Sequence, residues 1–240
     1  MRAALLFLLV ATAVTVAIVE GAAYVALHPQ DFPWTRLSLD QPVGSATGRK
    51  LAALRGDPAQ CRALLAEIGD ADRPVPARRA GPDCGFADGM RLMPEGRQSI
   101  LLRPQGPVAG CAVAAALALW EREVVQPAAE KHFGIPVAVI DHAGTYACRR
   151  LYGRSEGGFS EHASANAFDV LGFTLADGRS VSVLRDWPGS GPNAAFLRDV
   201  RDGGCRLFAT VLSPDYNAAH RDHLHLDQAS RGAAGFRMCR

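Results

Sequence analysis

SEHASANAFDVLG, residues 160–172, and HRDHLHLD, residues 220–227, decide how this chain is read. In the first stretch His162 and Asp169 stand seven positions apart, and Asp169 opens an apolar run that reads as a buried strand. In the second, His223 and His225 alternate with Leu224 and Leu226. A strand sends residues i and i+2 to one face, so both imidazoles look one way while both leucines look into a core. Together the two stretches hold four of the seven histidines.

The residue types suit a metal. Zinc takes nitrogen and hard oxygen donors in a tetrahedron, and a catalytic site keeps three protein ligands with the fourth position left for water. Two neutral imidazoles and one carboxylate leave the ion a net charge of about +1, enough to bring the pKa of its water to roughly 7. No cysteine lies in either stretch, which argues against a structural thiolate knuckle. A single histidine on a strand is more often a hydrogen-bonded core or surface residue. Three histidines and an acid, each beside a strand-like run, outweigh that reading. Spacing alone does not choose between His223 and His225 as ligand, since an H-x-H strand can supply both.

The chain around these stretches is bounded by its composition. With 240 residues, 48% hydrophobic, it can bury one sizeable core, and a net charge of +2 leaves no footprint for nucleic acid. Residues 3–19 form an uncharged apolar run behind Met1 and Arg2, and the low-charge stretch continues to about Ala26. A signal-peptide core is usually about 7 to 15 residues and a span needs about 20, so the length favours an uncleaved transmembrane anchor. The alternative is a signal cut after Ala23 and a secreted product. In either case Arg2 stays inside and everything after Pro29 is exported.

Residues 28–49, rich in proline and polar side chains, read as a membrane-proximal arm that serves as a plain tether, and residues 50–240 as the folded domain. Leu51, Leu54, Leu64, Leu65 and Ile68 recur at helical spacing around an Asp57-Pro58 start. Residues 70–82 read as a charged loop and 84–102 as a short hairpin. The best-marked helix is expected over 111–133, with Val113, Leu117, Trp120, Val124 and Ala128 in one apolar stripe and Glu121, Arg122 and Glu123 opposite. PVAVID at 136–141 reads as a strand, 179–184 as another reached through the Asp177-Gly178 turn, and 193–208 as a helix. Trp187, in the loop 186–192, reads as a plug rather than a substrate platform. Six separated cysteines without CxxC spacing, Cys61, Cys84, Cys111, Cys148, Cys205 and Cys239, read as three disulfides in an exported chain.

The pattern Ser160-x-His162-x6-Asp169 followed by His223-x-His225 resembles that of the zinc peptidases that include D-Ala-D-Ala carboxypeptidases and murein endopeptidases. More closely, residues 34–240 resemble the bacterial extensin-like C-terminal domain, a relative of that superfamily. The matching pieces are GRKLAAL at 48–54, the 111–120 segment, YACR at 146–149, SEHASANAFDV, DW at 186–187, FLRDVRD, and the tail with HLHLD and Cys239-Arg240. Two departures stand out: many of those peptidases carry Gly where this chain has Ala165, and several carry Glu where it has Asp222.

The resemblance implies an α+β fold, a small antiparallel sheet carrying the site with helices packed on it. It implies that His162, Asp169 and His225 hold one zinc ion, that Asp222 is the general base, and that His223 stabilises the oxyanion. Asp222 is odd-spaced from His225, so a bend over 217–222 is expected to bring it round. Arg149 and Ser160 are candidate contacts to substrate termini. The resemblance and sequence order favour disulfides pairing 61 with 84, 111 with 148, and 205 with 239. The implied activity is hydrolysis of peptidoglycan stem peptides or their cross-links, in the periplasm, by a single-pass protein of the inner membrane. The alternatives are a non-catalytic zinc-containing module that binds the wall or a partner, and an amidase or esterase using the same site.

Overall fold

The computed structural model of the chain describes residues 2–69, 73–93, 100–232 and 236–240. The expected loop over 70–82 and hairpin over 84–102 therefore lie partly outside the described residues. Helix α1 (Arg2–Leu27) has no buried residue and is long and apolar enough to cross a membrane. Its 26 residues rise about 39 Å, more than the roughly 30 Å hydrocarbon thickness of a bilayer.

The arm that follows is more than a tether. Leu37 and Leu39 are buried in the main core. Lys50 Nζ donates to Pro29 O at 2.8 Å and to Thr35 Oγ1 at 2.7 Å, and Arg206 Nη2 donates to Val43 O at 2.6 Å. The arm leads into α2 (Thr47–Ala53) and α3 (Pro58–Glu67). As Asp57-Pro58 predicted, the Asp57 carboxylate accepts from Gln60 N at 2.9 Å while Pro58 takes the first helical position.

Six short strands follow before or around the next turn of chain: β1 (Arg73–Pro74), β2 (Arg78–Arg79), β3 (Gly85–Phe86), β4 (Gly89–Arg91), β5 (Leu101–Arg103) and β6 (Val108–Gly110). The first, fourth and sixth form one small sheet, and β2 pairs with β3 in another. Helix α4 (Cys111–Trp120), a π turn over Glu121–Val125, and α5 (Gln126–Phe133) occupy the span expected for one long helix. Their environment differs from the amphipathic expectation. Every residue of α4 is buried, and so is Glu121, whose Oε1 accepts from Ile100 N at 3.1 Å. A run so rich in alanine lets backbones approach from all sides, and an all-apolar helix is a core element. Trp120 anchors it, with its ring 6.1 Å from Phe173 and 6.4 Å from Phe208 and its Nε1 donating to Val200 O at 3.1 Å.

The main sheet adds β7 (Val137–Gly144), β8 (Ala167–Leu175), β9 (Ser180–Ser182), β10 (Thr210–Leu212), β11 (Leu224–Asp227) and β12 (Met238–Cys239). Among the described residues it has seven strands, ordered β12-β10-β11-β8-β7-β5, with β9 beside the far end of β8. It is larger than expected and mixed, because β12 joins β10 and β5 joins β7 in parallel. Helices α6 (Val183–Asp186) and α7 (Pro192–Gly204) complete the domain, with Phe196, Leu197 and Val200 buried on α7 as their spacing requires. Trp187 is a plug: it is 3% exposed, and its Nε1 donates to Asp215 Oδ1 at 2.8 Å.

Strand β8 is the spine of the sheet. Against β7, Val170 pairs with His142 and Gly172 with Asp141, so Leu171 is an extra residue, a β-bulge that resets the side-chain alternation. Phe168 and Val170 before it, and Phe173 and Leu175 after it, therefore all enter one core. Gly172 is required there, since a side-chain carbon would lie 2.5 Å from Val181 O on β9.

All six cysteines are bonded, but only Cys205–Cys239 follows the pairing favoured from sequence. The others are Cys61–Cys111 and Cys84–Cys148. Helix α3 lies on α4, which brings the fully buried Cys61 and Cys111 together and leaves Cys84 for the loop after β7. Joining residues 50 apart, the first bond removes about 4 kcal/mol of unfolded-chain entropy. The double variant Cys61→Ala/Cys111→Ala should lose a comparable amount in urea unfolding of the full chain. A loss below about 1 kcal/mol would contradict the chain-entropy account of this bond.

Candidate metal centre

Two of the three candidate donors are placed by backbone pairing. In the antiparallel β8–β11 ladder His225 stands directly opposite Asp169, while Leu224 opposes Val170 and Leu226 opposes Phe168. Residues that pair directly share a face, so the donors lie on one side and the four apolar side chains on the other. His225 Nδ1 is 2.8 Å from Asp169 Oδ1.

The third donor comes from a turn. Ser160 Oγ accepts from His162 N at 3.4 Å and caps a single 3₁₀ turn, Glu161–Ser164, that carries His162. Ala165 follows in the left-handed region at φ 55° and turns the chain sharply into β8. Glycine adopts that conformation without the Cβ clash that alanine tolerates here. The turn sets His162 Nε2 3.0 Å from Asp169 Oδ2 and 3.3 Å from His225 Nδ1. All three residues are buried, and their donor atoms lie within 4.8 Å of one another, a group that could hold a metal ion.

The outward nitrogens are held as well. His162 Nδ1 donates to Thr145 O at 3.1 Å, and His225 Nε2 donates to Asp227 Oδ2 at 3.1 Å. Each bond fixes its ring and presents the other nitrogen inward, the usual support of a metal-bound imidazole. Neither Thr145 nor Asp227 was singled out from sequence. Asp227 was open to discovery, since it stands two residues beyond His225 on the same strand face; Thr145, acting through its carbonyl, left no side-chain signal.

The electrostatics of the metal-free group follow from these bonds. Burial alone would raise the Asp169 pKa, but hydrogen bonds from His162 and His225 outweigh it and hold the carboxyl far below its usual range. Burial likewise pulls His225 down, yet Asp169 and Asp227 lift it to about 9. In the metal-free group His225 is thus held as an imidazolium between two carboxylates, with its Nδ1 proton directed at Asp169.

These groups form the floor of an open cleft of about 370 Å³. Arg149, Ser160 and His223 line it, together with His220 and an aromatic wall of Tyr152, Phe159 and Tyr216. Tyr152 reaches the wall from a left-handed backbone at φ 56°. His220 is a further residue not assigned from sequence. Burial first, then the neighbouring His223 and His225, push its pKa down to about 4, so its ring faces the cleft uncharged at neutral pH.

Asp222 sits differently from the other expected residues. The 3₁₀ turn over Ala218–His220 supplies the anticipated bend, but Asp222 is not among the residues lining the cleft. Its Oδ1 accepts from His223 Nδ1 at 2.9 Å, a bond that also lowers the carboxyl pKa. His223 Nε2 in turn lies 3.7 Å from Asp169 Oδ1.

Residues 59–240 match the sequence model of a family described as Extensin-like protein C-terminus. No curated protein and no solved structure matches the chain. The family match spans well over half of the sequence and takes in every donor, both supporting partners and all six cysteines; the chain belongs to the extensin-like protein C-terminus family.

Proposed function

We propose that this protein is a zinc-dependent peptidase that cleaves peptidoglycan stem peptides or their cross-links, held by α1 in the inner membrane with its domain on the periplasmic side. The observation that carries the reading is the convergence of His162, Asp169 and His225 at the floor of an open cleft, with the outward nitrogen of each imidazole already engaged. A purely structural zinc site would be enclosed by four donors, whereas three facing a cleft leave room for a further ligand. The residues fit zinc in number, type and support. Bound there, zinc would polarise a scissile carbonyl and acidify water.

The remaining chemistry falls to the chain's own side chains. Because His223 Nδ1 donates to Asp222, its Nε2 is the free nitrogen on the side of the donors. His223 is therefore the group to take a proton from attacking water and, once protonated, to stabilise the oxyanion or hand the proton to the leaving amine. Asp222, expected from the resemblance to be the base itself, acts in this reading through His223, fixing its tautomer and the orientation of its ring. Arg149 offers an exposed cation to a peptide carboxylate. Ser160 gives its oxygen to the His162 turn and has its hydroxyl proton left for substrate.

Full-length protein should bind about one zinc per chain, and His162→Ala, Asp169→Ala and His225→Ala should each abolish that binding; elemental analysis with full zinc in all three would remove the site. Asp227→Asn should weaken zinc affinity by about 10- to 100-fold while keeping the fold.

The pH dependence has a definite sign. With zinc stripped by chelator, the raised His225 pKa contributes stability fully present below about 6.5, its ordinary value, and lost as pH rises through about 9. Asp169, held low, contributes in the opposite sense, with stability present above its ordinary value and lost in acid. Zinc must displace the His225 proton, so zinc affinity should rise with pH across the neutral range, with proton release detectable by calorimetry in buffers of different ionisation enthalpy. Pairing to His225 predicts that His225→Gln flattens the alkaline loss of stability of the stripped protein; an unchanged slope would refute it.

Catalysis is tested on murein sacculi and purified stem peptides at equal zinc occupancy. His223→Ala and Asp222→Asn should each lose activity on the order of 10²- to 10⁴-fold. Rates equal to wild type would rule out this mechanism, and a zinc-loaded wild type that binds murein without releasing product would establish the binding module instead.

A further inference from the structure

A second hollow, about 170 Å³, lies between α2 and the chain beyond β11. Ala229 and Arg231 line both it and the metal cleft, so the two adjoin. Three of its lining residues are arginines, Arg49, Arg231 and Arg237, and among the described residues no carboxylate lines it.

Two of the three arginines, Arg231 and Arg237, are built in. Arg237 passes over Gly48, where any side-chain carbon would collide with its guanidinium. Its Nε and Nη2 donate to Phe208 O at 3.1 and 2.7 Å, while Arg231 Nη1 donates to Ala209 O at 3.0 Å and Nη2 to Thr210 Oγ1 at 2.6 Å. These bonds aim both heads and, among the described residues, leave donors over: Nη1 of Arg237, Nε of Arg231 and the exposed head of Arg49. Among the described residues, no ion pair neutralises any of the three. Arg237 is partly desolvated and repelled by Arg49, and both effects lower its pKa. Fixed, partly buried guanidinium groups without a counter-charge are costly, and a planar or tetrahedral oxyanion matches their fork geometry.

We infer that Arg49, Arg231 and Arg237 form a binding site for an oxyanion, a carboxylate or a phosphate, beside the metal cleft. If the peptidase reading holds, and only on that reading, this site would take an anionic group of the substrate outside the bond being cut.

The test reads binding without turnover, so a failure of hydrolysis leaves it intact. Full-length protein in detergent is titrated calorimetrically with inorganic phosphate and separately with glutarate, in low-salt buffer to limit screening. The wild type should bind at least one of them, with the tighter of the two identifying the source chemistry. Arg49→Glu should weaken that binding by about tenfold or more, because it reverses the charge of the least encumbered donor. Arg49→Gln gives the same direction should charge reversal disturb the fold. Arg185→Glu, an equal change in net charge at an exposed position elsewhere, should leave binding unaltered. The inference is overturned by absence of binding to the wild type, by wild-type affinity in both Arg49 variants, or by an equal loss in Arg185→Glu.

Discussion

The pairing of His225 opposite Asp169 is the constraint on which the rest depends. Because side chains alternate along a strand, the ladder that sends Leu224, Leu226, Phe168 and Val170 into the core must send His225 and Asp169 to the cleft. A slip of one residue would exchange the faces, placing a carboxylate and an imidazole against apolar side chains and exposing leucines. Each such buried side chain stabilises the register by roughly 1.5–3 kcal/mol. The geometry of the donors is thus maintained by groups that never touch them.

Burying Asp169 would ordinarily be costly, and the fold offsets this with charge-assisted bonds. His162 and His225 both point at the carboxylate, and Thr145 and Asp227 hold the far sides of the rings. Outward along the cleft the electrostatic character changes, from the clamped imidazolium at the floor, past neutral His220, to the exposed guanidinium of Arg149. A ligand entering meets a cation first and a desolvated donor group last.

The local parts of this arrangement were legible in the sequence and the distant ones were not. HLHLD and FDV carry period-two patterns that declare both strand and face, and Asp57-Pro58 declares a helix start. The bulge at Leu171 was hidden, because a continuous apolar run looks alike with or without a reset of phase. The disulfide pairing was read wrongly for two bonds, since it depends on α3 lying against α4, a long-range fact that cysteine spacing does not encode. The arm over 28–49 looked like a tether because its proline and polar residues hide Leu37 and Leu39. The partner of Asp222 was equally out of reach: a Asp-His neighbour pair in sequence does not say that one side chain bonds the other.

The three donors have unlike supports. Asp169 and His225 are fixed within interior strands whose backbone bonds open only with the sheet, whereas His162 rides on one short turn closed by a serine cap and a left-handed alanine. Segments of this kind exchange their amide hydrogens through local opening, at free energies well below that of global unfolding. The donor set can consequently be broken and remade on the turn side while the sheet stays folded, so the lifetime of the complete group is set by a few residues rather than by the stability of the domain.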